Sequence, residues 1–154
     1  MRRKYKNFLS IGDNLNLDKS PFYWISKIHS QHVQHVDNAL KAYGLDNSRR
    51  QILLALKSND NASISDLSTT LISKISTTTK IVHRLEYEGL VETMNCKIDG
   101  RFTRVKLTEK GEFAIQNINA LNNIFLVKSL EGLSELQIEK FLVTLKHIFS
   151  RLSD

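Results

Sequence analysis

The sequence is short of the residues that interrupt helices and of those that cross-link chains. Its 154 residues include one proline, six glycines and one cysteine. So few helix breakers favour a mainly helical chain. The single cysteine, Cys96, cannot form an internal disulfide, which is typical of proteins in a reducing compartment. We therefore expect a cytoplasmic protein.

Long apolar runs are also missing. The longest, residues 52–56 and 124–127, fall far short of the roughly 20 residues that cross a bilayer. Residues 1–6 are basic, but the segment 11–18 that follows is mostly polar and supplies no apolar core of a signal peptide. These features predict a protein that is neither embedded in a membrane nor exported.

Catalytic motifs are absent from the sequence. There is no P-loop, no glycine-rich dinucleotide turn, and neither an H-E-x-x-H nor a G-x-S-x-G segment. The serines and histidines that are present are explained as helix caps and helix faces. We expect no enzyme, no catalytic residue and no cofactor.

The charge balance points to a polyanionic partner. Lys and Arg number 22 against 16 Asp and Glu, which gives a formal net charge of +6 on a chain the size of one ordinary domain. Many small basic proteins are merely well solvated, so the position of the charge must decide its meaning.

Helix boundary signals divide the first half of the chain. Ser20 and Pro21 predict the start of a long helix that runs to about Tyr43 and stops at Gly44. Asp46 or Asn47 caps a second helix. A third, short helix opens with a capping box at 63–66 and breaks near 72–74, and a fourth runs over 74–88 to a glycine stop.

The period of apolar residues then changes from helical to alternating. Residues 90–94 and 102–107 read as two strands, with Asp99-Gly100 as a hairpin turn between them. Thr108 caps a helix that reaches about residue 128, and Ser134 with Gln137 opens the last helix. The predicted fold class is mainly α with a small β-ribbon.

Two helices joined by a tight turn and followed by a basic ribbon are the layout of a winged helix-turn-helix, whose second helix enters a DNA major groove. The segment 73–84 carries Lys74, Lys80 and Arg84, no acidic residue, and a run of hydroxyls. This segment is the predicted positive face. We expect its cations to contact phosphates, which makes affinity dependent on salt.

The residues that build this layout resemble the MarR family of bacterial regulators. The resemblance lies in 67–71 (LSTTL), 76–86 (STTTKIVHRLE), 89–91 (GLV) and above all 99–111 (DGRFTRVKLTEKG), and it runs from about residue 20 to the end. The sequence departs from the family pattern at Thr93, where arginine is usual, and at Ile72, where glycine is common.

The resemblance implies a single domain over 1–154 that acts as a homodimer. Residues 20–43 and 108–154 would form the helical dimerisation region, and 46–107 the DNA-binding lobe. The last two helices carry more apolar positions than one small lobe can cover, which agrees with a partner surface. A two-fold dimer predicts an inverted-repeat operator on double-stranded DNA, with half-sites about 34–36 Å apart.

The resemblance also assigns the DNA contacts. Hydroxyls and a cation that approach base edges and phosphates are expected at Ser76, Thr77, Thr79 and Lys80. Arg101, with Asp99 beside it in sequence, matches the family's ribbon-tip arginine and suits a narrow minor groove. The plainer interpretation is that the hydroxyls only start the helix and that Arg101 is a solvated turn residue.

Relatives of this kind commonly bind a small aromatic carboxylate that releases the operator, so the expected activity is that of a ligand-responsive repressor. Arg49 is the candidate partner of the carboxylate, Trp24, Ile28 and His32 an apolar wall at i+4 spacing, and Ser20 a further hydroxyl. An indole or phenyl acid is the expected effector. The alternative is a core stripe with a surface arginine.

Two other functions stay open from sequence. The winged helix could contact a protein instead of a duplex, in which case Arg101 would not be needed. His29, His32 and His35 lie three apart on one helix and raise the possibility of a metal-responsive repressor, but no further ligand completes a tetrahedral set, so no metal site is predicted. Cys96 has no evident activating base, which argues against redox sensing.

Overall fold

The computed structural model describes residues 16–95 and 103–153 and divides the chain into two compact units, one ending at Ile115 and one beginning at Gln116. Within the described ranges, the α-helices and β-strands are α1 Pro21–Leu40, α2 Asn47–Ser58, β1 Ala62–Ser63, α3 Ile64–Thr70, α4 Ile75–Tyr87, β2 Val91–Asn95, β3 Thr103–Leu107, α5 Glu109–Leu130 and α6 Glu135–Leu152. The predicted fold class is confirmed.

Side-chain caps set the helix starts, as the sequence predicts. The hydroxyl of Ser20 accepts a hydrogen bond from the backbone of Tyr23, and a carboxylate oxygen of Asp46 accepts one from the backbone of Arg49. Ser63 and Ser134 each form a complete capping box. These local contacts satisfy backbone donors that have no partner inside their own helix.

The first helix ends earlier than predicted. It stops at Leu40 rather than near Tyr43, because residues Lys41–Tyr43 tighten into a 3₁₀ turn. Gly44 follows at φ 66°, the left-handed conformation expected of a glycine stop.

A small antiparallel sheet joins the helices of the first unit. Its strand order is β1-β3-β2, with Val91 opposite Leu107 and Ala62 opposite Val105. The ribbon of β2 and β3 confirms the prediction, whereas the two-residue strand β1 has no counterpart in it. The core of this unit is made of fully or almost fully buried side chains: Leu40, Ile52, Leu53, Leu56, Leu67, Val82, Leu85 and Val105.

The turn between α3 and α4 is closed by a β-branched residue in a left-handed conformation. Ile72 has φ 50° and is 75% exposed. Its N–H donates to the carbonyl of Thr69, and the N–H of Ser73 donates to that of Ser68, a pair of bonds that defines a Schellman motif. At the end of α4 the same motif is closed by Gly89 at φ 72°. The turn geometry is therefore kept at Ile72, but at a steric cost.

Replacing Ile72 with glycine is expected to raise the free energy of unfolding by about 1 kcal/mol, because the relief of left-handed strain exceeds the extra entropy of an unfolded glycine. Urea unfolding of the two proteins measures this change. Gly89→Ala adds a side chain at the equivalent position of the motif that ends α4, where nothing lies within 4 Å of the added Cβ. It should lower stability, because the left-handed φ then strains an alanine. A loss of stability in Ile72→Gly would contradict the strain argument.

No helix in the described part of the chain is both long and apolar enough to span a bilayer.

Candidate nucleic-acid interface

Helix α4 divides cleanly into a buried and an exposed face. Thr78, Val82 and Leu85 follow one another at helical spacing and are buried against the rest of the unit. Most of the residues predicted to contact DNA lie outside this stripe: Ser76, Thr77, Lys80 and Arg84 are exposed, Thr79 is half-buried, and Lys74 is the exposed residue that precedes the helix. The structure therefore presents the hydroxyls and cations of α4 on its solvent side.

Two of the threonines have local roles. The hydroxyl of the buried Thr78 lies 2.6 Å from that of the exposed Ser73, so this pair ties the turn to the first turn of α4. Thr79 Oγ1 donates to the carbonyl of Ile75 over 2.8 Å and keeps only its acceptor lone pairs for other groups. The plainer interpretation of the hydroxyl run holds for Thr78, a residue that was not among the predicted DNA contacts.

An ion-pair network around the buried Arg49 fixes the C-terminal end of α4 to the start of α2. Arg49 is 5% exposed, and its Nη1 donates to both carboxylate oxygens of Glu88 at 2.6 and 2.8 Å. Its Nε donates to Asp46 at 3.2 Å. Glu88 also accepts a bond from Arg84 Nε at 3.2 Å. The carboxylate of Glu88 thus joins the buried Arg49 of α2 to the exposed Arg84 of α4.

The pKa values in this network follow from its geometry. Burial alone would raise the pKa of Asp46, but hydrogen bonds and charge from Arg49 outweigh it and lower the pKa. Burial opposes the charge on Arg49, yet its hydrogen bonds to Glu88 and Asp46 raise the pKa of the guanidinium. Asp46 and Arg49 are therefore both charged at neutral pH.

A second contact pins α4 to the ribbon. The hydroxyl and the backbone N–H of Thr93 on β2 both donate to Glu86 Oε1 on α4, and the hydroxyl contact lowers the pKa of Glu86. Thr93 is a position at which the sequence departs from the family pattern, and this pairing gives the departure a structural role. Helix α4 is thus held near its C-terminal end, at Glu86 and Glu88.

The tip of the ribbon lies outside the described residues, and Arg101 and Asp99 with it. Their predicted contact with the minor groove stays a prediction. On the described part of β3, Arg104 donates to the carbonyl of Asn61 over 2.9 Å and so stitches the ribbon to the residue before β1.

The residues predicted to bind an effector are distributed over α1 and the start of α2. Trp24 and Ile28 are exposed, and the indole N–H of Trp24 donates to the carbonyl of Asp18. Ser20 is occupied as the cap of α1. Arg49 is held by Asp46 and Glu88, so a ligand carboxylate would have to compete with these two carboxylates.

Sequence reasoning overlooked Arg50, the neighbour of Arg49. Burial is the main cause that lowers the pKa of His32, followed by the charge of Arg50 and then by His29 and His35. Arg50 therefore acts electrostatically on His32, one residue of the predicted wall. The family resemblance pointed to Arg49. The packing of α2 against α1 is what brings the charge of Arg50 to His32, and the sequence gives no sign of it. Among the described residues, His, Cys, Asp and Glu form no group of three or more that could hold a metal ion.

The segment that contains α4 and the ribbon is similar to known DNA-binding domains. A family profile described as a winged helix DNA-binding domain matches residues 45–111. The transcriptional repressor IacR of Pseudomonas putida is 34% identical over 151 residues, which cover 98% of this chain and 90% of IacR. The matched relatives are transcriptional regulators rather than enzymes.

Solved structures share the fold. A MarR-family regulator from Silicibacter pomeroyi superposes with a TM-score of 0.81 at 20% identity, over 92% of this chain and 96% of that one. BpsR of Bordetella bronchiseptica, a protein whose DNA binding is regulated by 6-hydroxynicotinic acid, gives a TM-score of 0.71 at 17% identity, over 86% and 97%. At these identities the likeness concerns the fold alone.

Proposed function

Because this chain belongs to the MarR family and is a DNA-binding transcriptional regulator, we propose that it is a homodimeric repressor that leaves an inverted-repeat operator when a small aromatic carboxylate binds. The observation that carries the proposal is the exposed surface of residues 74–84, which presents hydroxyls and cations together and carries no acidic residue. Its place of action is the cytoplasm, where its operator lies.

The proposed DNA contacts lie on α4 and just before it, outside the buried stripe of the helix. We propose that base edges and phosphates are met by Ser76, Thr77, Thr79 and Lys80, and phosphates by Lys74 and Arg84. Arg84 is shared with Glu88, so contact with a phosphate requires the guanidinium to serve both anions. Arg101 of the ribbon is proposed to enter the flanking minor groove.

The second unit supports the proposed dimer. Apolar side chains remain at least 47% exposed on its two helices and on the turn between them: Ile124, Leu126, Val127, Leu133, Leu136, Phe141, Leu142, Val143, Phe149 and Leu152. A soluble monomer rarely leaves so many large apolar groups in water. We propose that residues 20–43 and 108–154 of two chains interlock around them, which leaves 46–107 of each chain as a DNA-binding lobe.

For the effector, the proposed wall is Trp24, Ile28 and His32, with the Ser20 hydroxyl near the start of the same helix. The carboxylate is proposed to meet the arginines of α2. A ligand carboxylate that binds Arg49 displaces Glu88 and so weakens the contact between α2 and α4. The charge of Arg50, by contrast, already acts on His32. BpsR, whose regulator is itself an aromatic acid, gives the class of ligand a precedent in the same fold.

Titration with indole-3-acetate, phenylacetate and related acids tests this proposal. The wild-type protein, bound to a labelled fragment of its own promoter, should dissociate as the acid is added, with a fall in fluorescence anisotropy. Arg50→Ala should bind the fragment as tightly as the wild type but respond at least tenfold more weakly to the acid, because its charge-assisted contact is lost. Lys41→Ala, which removes one positive charge on the turn that ends α1, is the matched control.

Two outcomes would contradict the proposal. If none of the acids shifts the wild-type binding curve, the aromatic effector is wrong. If the protein binds no duplex but retains a protein partner, the winged helix is a protein-interaction module, which was the alternative that the sequence left open.

A further inference from the structure

The first residue of α4 is an exposed isoleucine. Ile75 is 58% exposed and stands between Lys74 and Ser76, at the end of the helix that enters the groove in this class of fold. Its two neighbours in sequence are charged or polar, and the other exposed isoleucine of this segment, Ile72, lies in the turn before the helix. Single exposed apolar residues are common on proteins, and the position of this one, not its exposure alone, gives it meaning.

The floor of a major groove offers one kind of apolar group. Base edges there present hydrogen-bond donors and acceptors, with the single exception of the C5-methyl group of thymine. An isoleucine pressed against G·C pairs would remove water from polar edges without replacing its hydrogen bonds. Against a thymine methyl the same side chain buries apolar surface on both sides of the contact.

Thr79 lies one helical turn further and has a matching restriction. Since its hydroxyl hydrogen is donated to the carbonyl of Ile75, its oxygen can only accept. In an A·T pair the adenine N6 amino group is a donor and the thymine methyl is apolar, so one pair suits both side chains. A G·C pair offers the cytosine amino donor but no methyl group.

We propose that Ile75 packs against the C5-methyl group of a thymine in the operator half-site and thereby makes the protein select A·T at that position. This inference rests on the proposed function of α4 as the reading helix. It adds a specificity residue that neither the cations nor the hydroxyls of the face account for.

Thymine can be replaced by deoxyuridine, which removes the methyl group and leaves the base pair unchanged. In the protected region of the promoter, each thymine is replaced in turn and affinity is measured by fluorescence anisotropy. One position in each half-site should cost the wild type about fourfold, the factor that corresponds to one buried methylene-sized group. Deoxyuridine elsewhere in the fragment should have no effect.

Ile75→Ala should bind the thymine operator more weakly and should no longer distinguish thymine from deoxyuridine at that position. Ile75→Val keeps a branched apolar group and should keep part of the discrimination. Tyr87→Ala removes another exposed apolar side chain, at the other end of α4, and should discriminate as the wild type does. Circular dichroism checks that each variant is folded.

The proposal is overturned if the wild type binds every deoxyuridine operator as tightly as the thymine operator, or if Ile75→Ala keeps the full discrimination. In both cases tight binding of duplex DNA would leave the proposed function standing. Absence of duplex binding by the wild type would overturn both together.

Discussion

Gly111→Ala is expected to lower the free energy of unfolding by about 3 kcal/mol or more, because the added methyl group has no space. A Cβ at this position would lie 2.1 Å from the carbonyl oxygen of Leu90 and 3.2 Å from Leu107 Cδ2. The Leu90 carbonyl is backbone and accepts a bond from the N–H of Thr108, so it cannot withdraw without loss. Chemical denaturation followed by circular dichroism gives the value.

Gly44→Ala is the matched control for this prediction. Gly44 lies in the same unit, has nothing within 4 Å of an added Cβ, and has a left-handed φ of 66°. We expect it to lose about 1 kcal/mol, the ordinary cost of forcing alanine into that conformation. Equal losses in the two variants would show that close backbone approach at Gly111 is unimportant.

The double variant Lys74→Ala/Lys80→Ala is expected to lose roughly three and a half orders of magnitude in operator affinity at 0.1 M salt. Each phosphate contact contributes a salt slope of about 0.9, which is worth roughly eightfold at that concentration, and a dimer would lose four contacts. The plot of log affinity against log salt should therefore become shallower by about four. Both lysines are exposed, so folding should be unaffected.

Lys41→Ala/Lys140→Ala is the control, since it removes the same charge from exposed positions outside α4. It should change the slope little, because only charges that contact phosphates release bound counterions. If both double variants lowered affinity and slope to the same extent, the net charge of +6 rather than the face of α4 would be attracting the DNA.

Local chemistry made much of the fold predictable. Four helix starts could be predicted because an N-cap side chain bonds to the backbone only three residues away, as it does at Ser20, Asp46, Ser63 and Ser134. The end of α4 could be predicted at Gly89 because the motif that closes a helix is also made of local backbone hydrogen bonds. The strand β1 was missed because its two residues carry no periodic signal, and only the pairing of Ala62 with Val105 defines it.

The ion pairs of the candidate site could not be predicted, because they join segments that are far apart in sequence. Glu88 is 39 residues from Arg49, and no spacing rule joins them. The same holds for Arg50, which lies next to Arg49 in sequence but acts on His32. The exposed face of α4 was predictable because helical periodicity separates Lys80 from its buried neighbours.

The most direct test of the reading helix is cleavage of the operator from a fixed point on it. Ser76→Cys, in a Cys96→Ser background, can carry an iron chelate that cuts nearby DNA. The account predicts two clusters of cuts inside the protected region, each at a major groove and about 34–36 Å apart along the duplex. Cuts centred on minor grooves, or none above those of a chelate placed at Lys140→Cys, would contradict the claim that α4 lies in the groove.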